Sequence, residues 1–174
     1  MEALEQFQKE FLQNAAFRMD ESLRMIEICF DKLSEELIWK RPNDSSNSIG
    51  NLILHLCGNI TQYAISSLGN QPDNRFRDEE FTKKGGYTKD ELLSKITQTV
   101  GQAKVTFKST PTSEYVRVRT VQGFDFSGIG TVVHVVEHLS YHTGQIALLT
   151  KLFLDSDLGF YDGMDLNAKN EKNN

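Results

Sequence analysis

The chain has 174 residues, a formal net charge of −5, 39% hydrophobic residues and 25% charged residues. The length suits one domain with a full core, and the acidic balance, with no Lys/Arg cluster, argues against binding to nucleic-acid phosphates. Two cysteines, Cys29 and Cys57, are too few for a disulfide framework. No basic-then-apolar leader opens the chain and no window approaches the ~18 apolar residues of a membrane span, so a reducing cytoplasm is expected.

Residues 3–34 predict a long helix with Leu4, Phe7, Phe11, Ala15, Ser22, Met25, Cys29 and Leu33 near one face. Pro42 and the polar run 43–48 stop it and supply N-caps for a second helix, about 48–67. That helix sets Ile49, Leu52, Ile53, Leu56, Ile60 and Tyr63 on one stripe. The charged stretch from Gly69 to Gly86 predicts a loop with at most a short turn of helix. Thr88-Lys-Asp-Glu91 is a capping-box pattern opening a third helix to about Lys108. Residues 114–126 then alternate in polarity around Gln122-Gly123, the pattern of a short β-hairpin. The fourth helix, about 128–153, is apolar nearly all round, which predicts burial. The sum is an all-α, four-helix bundle over residues 1–164, with a short β-hairpin between helices 3 and 4 and a polar tail at 165–174.

All four histidines fall in the two most apolar helices. His134, His138 and His142 are spaced by four. At about 100° per residue each step of four turns the helix by roughly 40°, so the three share a face. Gln145, Leu149 and Leu152 continue that stripe toward the bundle interior. An imidazole buried there needs hydrogen-bond partners or a metal ion. Two histidines one turn apart can chelate an ion, but His134 and His142 are separated by about 12 Å of rise against metal–nitrogen bonds of roughly 2 Å. Either adjacent pair therefore remains open, with a third ligand from another helix. His55, on the edge of the helix 2 stripe beside Leu52, Ser48 and Asn59, is the remaining histidine.

His134-Val-Val-Glu137-His138 also matches the inverted zinc-peptidase pattern H-x-x-E-H, with Glu137 as general base. Five residues make a weak signal, and such peptidases need a further carboxylate ligand in a much larger fold. Glu137 also projects well away from the direction of its two histidines, toward solvent or a supporting role.

Two segments carry a family resemblance. Ser46-Asn-Ser-Ile-Gly-Asn-Leu-Ile-Leu-His55-Leu-Cys-Gly-Asn59 resembles the helix 2 signature of the DinB/YfiT-like superfamily. Val133-His134-Val-Val-Glu-His138-Leu-Ser-Tyr-His142-Thr-Gly-Gln145-Ile146 resembles its helix 4 signature. Trp39-Lys-Arg-Pro42 and Asn74-Arg-Phe-Arg-Asp-Glu-Glu-Phe81 are similar to one branch of that superfamily. The resemblance implies a four-helix bundle holding a divalent metal, zinc or nickel, on His55, His138 and His142, with His134 one turn outside. One departure is visible: the commonest pattern of that superfamily has His-Arg-Gly-Gln where this chain has His142-Thr143-Gly144-Gln145.

The resemblance further implies a thiol-dependent S-transferase, in which a metal-activated low-molecular-weight thiol such as bacillithiol or mycothiol attacks an electrophilic small-molecule substrate. It also implies a homodimer. Gln145, Tyr141 and Asn59 are candidates to orient the ligand. Two other functions compete. A metal-dependent hydrolase would need a carboxylate base, from Glu137 or from Asp78, Glu79 or Glu80. A stress-associated metal-binding protein would need no catalytic group. As a charge run, Asp78-Glu79-Glu80 reads first as solvated surface.

Overall fold

Hydroxyl side chains cap the starts of four of the helices that follow the first one. Ser34 accepts from the Leu37 N–H and starts α2 (Glu35–Trp39), so the predicted first helix ends early and α1 spans Glu2–Lys32. Ser48 and Asn51 form a reciprocal capping box at the start of α3 (Ile49–Ile60). Helix α4 (Arg77–Thr82) occupies the stretch expected to be mostly loop. The Thr88–Glu91 box opens α5 (Lys89–Ser109), a single turn of helix makes α6 (Thr112–Val116), and Ser127 caps α7 (Gly128–Leu154). The computed structural model describes residues 2–169. Of the predicted polar tail, residues 170–174 lie outside the described residues.

Helix α1 packs against α5 and α7, and α3 packs against the same two, so the four long helices run around the bundle in the order α1, α5, α3, α7. Their shared core includes Met19, Ile26 and Phe30 from α1, Ile53, Leu56 and Ile60 from α3, Leu92, Ile96 and Val100 from α5, and Val132, Val135, Leu139 and Ile146 from α7. This ring makes α3 and α7 neighbours along one seam. None of the described helices is long and apolar enough to cross a membrane.

Three departures from the sequence expectations have physical causes. Leu4 and Phe7 are 61% and 65% exposed, because the apolar face of α1 becomes buried only from Ala15 onward. The all-round apolar α7 is buried on the side facing α1 and α3, while Val133, Tyr141, Leu148 and Leu152 remain exposed. The second helix does extend to Leu68, but from Thr61 it continues as a wider π-helix, with Gly69 N–H reaching back to Ala64 and Gln71 N–H to Ser66.

The expected hairpin is present as β1 (Val118–Val121) paired antiparallel with β2 (Phe124–Ser127), Val118 opposite Ser127 and Val121 opposite Phe124. Its two turn residues both have left-handed backbones, Gln122 at φ 52° and Gly123 at φ 81°, the conformation a two-residue hairpin turn requires. Two strands alone are marginal. Here the turn is tied to the bundle through Tyr63, whose hydroxyl donates to Gln122 Oε1 at 3.1 Å.

Candidate metal centre

Because α3 and α7 share a seam, their polar residues meet in successive rungs one helical turn apart. His55 Nε2 lies 2.9 Å from His138 Nε2. One turn further along, the Asn59 amide Nδ2 lies 3.2 Å from His134 Nε2. His142 flanks the first rung, its ring centroid 4.9 Å from that of His55 and 4.5 Å from that of His138.

His55, His138 and His142 each offer a ring nitrogen, and these nitrogens all lie within 4.8 Å of one another. His134 stands outside that group. It bonds Asn59, stacks on His138 at 5.3 Å and packs against Tyr63 at 4.1 Å. The two candidate pairs left open by helical spacing are thereby distinguished: His138 and His142 converge with His55.

The donor chemistry fits a divalent ion. His142 Nδ1 lies 2.7 Å from Gln145 Oε1, an acceptor, so the ring carries its proton on Nδ1 and leaves the Nε2 lone pair free. His55 Nδ1 lies 2.9 Å from Glu80 Oε2 with the same consequence. Burial pushes His142 and His134 below the ordinary histidine value, and burial with the neighbouring imidazoles takes His138 down to about 3. Neutral imidazoles are the form that binds metal. In a tetrahedral site with bonds of roughly 2 Å, ligand nitrogens stand about 3.3 Å apart. The His55–His138 spacing of 2.9 Å is already close to that, and no pair exceeds 4.8 Å. The group could hold a metal ion.

Glu80 is the site residue hardest to foresee from a charge run. It is 7% exposed, whereas Asp78 and Glu79 face solvent. Its Oε1 accepts from Arg75 Nε at 2.7 Å, and its Oε2 accepts from Arg75 Nη2 at 2.8 Å as well as from His55. Burial pushes its carboxyl upward, but hydrogen bonds from Arg75 and His55 outweigh this and hold it below the usual carboxylate range. The backbone of α4 is fastened to α3 by Asn51, whose Nδ2 donates to Glu80 O at 2.9 Å and to Lys83 O at 2.8 Å. Arg41 donates to both Asn51 Oδ1 and Phe81 O. Phe81 then covers the His55 ring, centroids 4.8 Å apart.

Gly58 makes this layer possible. A Cβ there would fall 2.0 Å from Glu80 Oε1 and 2.8 Å from Arg75 Nε. Gly50 does the same for Trp39, whose ring would lie 2.8 Å from a Cβ at that position and whose indole N–H donates to Tyr87 O at 3.0 Å. The residues of 39–42, 46–59 and 74–81 thus meet as one layer behind the histidines. Of the other candidates, Tyr141 is exposed with its ring 4.9 Å from His142. Glu137 is exposed on the α1 side of α7, in a groove with Asn14 and Arg18.

Solved structures with the same fold include two DinB-like proteins. A DinB-like protein of Bacillus subtilis superposes with a TM-score of 0.65 at 14% identity, covering 85% of this chain and 96% of that one. A DinB-like protein of Bacillus cereus ATCC 10987 gives 0.64 at 15% identity over 83% of this chain and 91% of its own. A conserved protein of Enterococcus faecalis gives 0.66 at 14% identity over 83% and 97%. At these identities the likeness is one of fold. Among curated proteins none matches. Residues 6–160 match the family described as "Protein of unknown function (DUF1572)", and the chain belongs to that family.

Proposed function

We propose that the protein binds a divalent metal ion, zinc or nickel, through His55, His138 and His142, and uses it in thiol-dependent transfer to an electrophilic small molecule. The observation that carries the metal half is the meeting of three imidazole nitrogens within 4.8 Å at a seam between two helices. When bound, such an ion lowers the pKa of a coordinated thiol or water to near neutrality. The chain's own contribution is a set of three imidazoles, a ligand type that binds metal without adding negative charge, so that the ion would keep its full positive charge. Glu80 does not offset that charge, because Arg75 neutralises it.

The reading as a thiol transferase rests on the superfamily resemblance, and one observation favours it over hydrolysis. A hydrolase needs a carboxylate free to take a proton beside the site. Both oxygens of Glu80 are already engaged by Arg75 and His55. Glu137 faces the α1 groove, and Asp78 and Glu79 face solvent. A thiol acidified by the ion would release its proton to solvent and ask for no such base: its sulfur would then bond to the electrophilic carbon, and the leaving group would depart with the electron pair of the broken bond.

Elemental analysis of the purified protein should find about one equivalent of metal, reduced to background in His55→Ala. Turnover of a model electrophile such as a chloronitrobenzene should require an added low-molecular-weight thiol. Metal-free protein whose affinity for added nickel is unchanged in His55→Ala refutes the site. Equal turnover with and without thiol refutes the transfer chemistry.

A further inference from the structure

Resting on the metal reading above, we infer that Glu80, held by two hydrogen bonds from Arg75 and admitted by Gly58, is the positioning residue that fixes the tautomer of His55. An ionised carboxylate has no proton to give, so the 2.9 Å contact with Glu80 Oε2 places the His55 proton on Nδ1 and turns the Nε2 lone pair toward His138 and His142. Glu80 itself is no ligand. It contacts the edge of the ring opposite Nε2, and both of its oxygens are occupied.

The layer holds the means of its own reversal. Arg75 Nη2 lies 3.2 Å from the same His55 Nδ1. While Glu80 is present, both groups donate to the shared carboxylate oxygen. Without Glu80, the guanidinium becomes the nearest partner of Nδ1 and can only donate. That forces the His55 proton onto Nε2, where it blocks the ligand position. Removing Glu80 therefore does more than loosen His55: it selects the wrong tautomer. Gly58 is part of the same device, since a methyl group there overlaps Glu80 Oε1 and must push the carboxylate away.

The test has two independent readouts on the full-length protein. Ring ¹⁵N chemical shifts of His55, measured after chelator treatment, report the tautomer without any metal. Nickel affinity, by competition titration, reports the consequence. Wild type should show Nδ1–H. Glu80→Ala should shift His55 to Nε2–H and weaken nickel binding by roughly 10- to 100-fold. Glu80→Gln, of nearly the same shape, keeps the fold testable if the alanine variant unfolds. Its single carbonyl oxygen pairs with Arg75 and its NH₂ faces Nδ1, so it too should switch the tautomer. Gly58→Ala should reproduce the affinity loss, and Gly58→Ala/Glu80→Ala should be no weaker than Glu80→Ala alone. An unchanged tautomer in both Glu80 variants overturns the inference, as do additive losses at positions 58 and 80. Wild type that binds no nickel overturns the metal reading instead, while the ¹⁵N shifts still decide whether Glu80 sets the tautomer.

Discussion

Asn51 is completely buried and joins two elements through five hydrogen bonds, which makes Asn51→Ala the sharpest test of how α4 is held. Its Oδ1 accepts from the backbone and hydroxyl of Ser48 at 3.2 and 2.8 Å and from Arg41 at 3.0 Å. Its Nδ2 serves the carbonyls of Glu80 and Lys83. Alanine removes its half of the capping box, worth about 1 kcal/mol. It also strands two carbonyls, at about 1 kcal/mol each where water can approach the edge of α4. The expected loss is about 3 kcal/mol, or roughly 6–12 °C in Tm for a chain of this size. Ser48→Ala, which deletes the cap hydroxyl and leaves the α4 contacts in place, should cost only about 1 kcal/mol. Urea unfolding of both variants measures the difference. Equal losses would mean that the clamp on α4 carries no stability, and the account of how Glu80 reaches His55 would fail with it.

Three further outcomes are expected. In chelator-treated protein, His138 titrates at about 3 when folded against an ordinary 6.5, so between those values the unfolded chain binds more protons and stability rises with pH. The contribution is complete above about pH 6.5 and is lost as pH falls toward 3; a urea midpoint no lower at pH 5 than at pH 7 would contradict it. Gly123→Ala places a side chain at φ 81°, a strain of roughly 1 kcal/mol. It should speed amide exchange in residues 118–127 while leaving α5 and α7 protected, and uniform protection would refute it. Nickel at 100 times its dissociation constant should stabilise wild type by about 2.7 kcal/mol and His55→Ala by much less, as read from paired thermal melts.

The parts that sequence pattern revealed are those governed by neighbours in the chain. Ser48, Thr88 and the Gln122-Gly123 turn mark element boundaries because capping and turn chemistry act over two to four residues. The spacing of His134, His138 and His142 showed a shared face for the same reason. What stayed hidden depends on distant contacts. Leu4 and Phe7 fit the helical pattern, yet no neighbouring helix covers them. Arg75 and Glu80 sit in a polar run whose ordinary destination is solvent. Only α3 beneath them, with Gly58 making room, turns one acid of three inward. The segments around Trp39, Ser46 and Asn74 are separate strings in the sequence, and their meeting behind the histidines is a property of the folded chain.

Glycine inside a helix ordinarily lowers stability by about 1 kcal/mol relative to alanine, and Gly58 lies inside α3. The penalty persists only as long as Glu80 and Arg75 fill the space above it. In a chain that has lost both, Gly58→Ala should stabilise, whereas in the present chain it disrupts. The sign of one substitution is therefore set by two residues far away in sequence. Mutational paths through this site are ordered: the ionic layer has to go before the better helix former can enter, and once alanine is in place the carboxylate cannot return to its seat against His55.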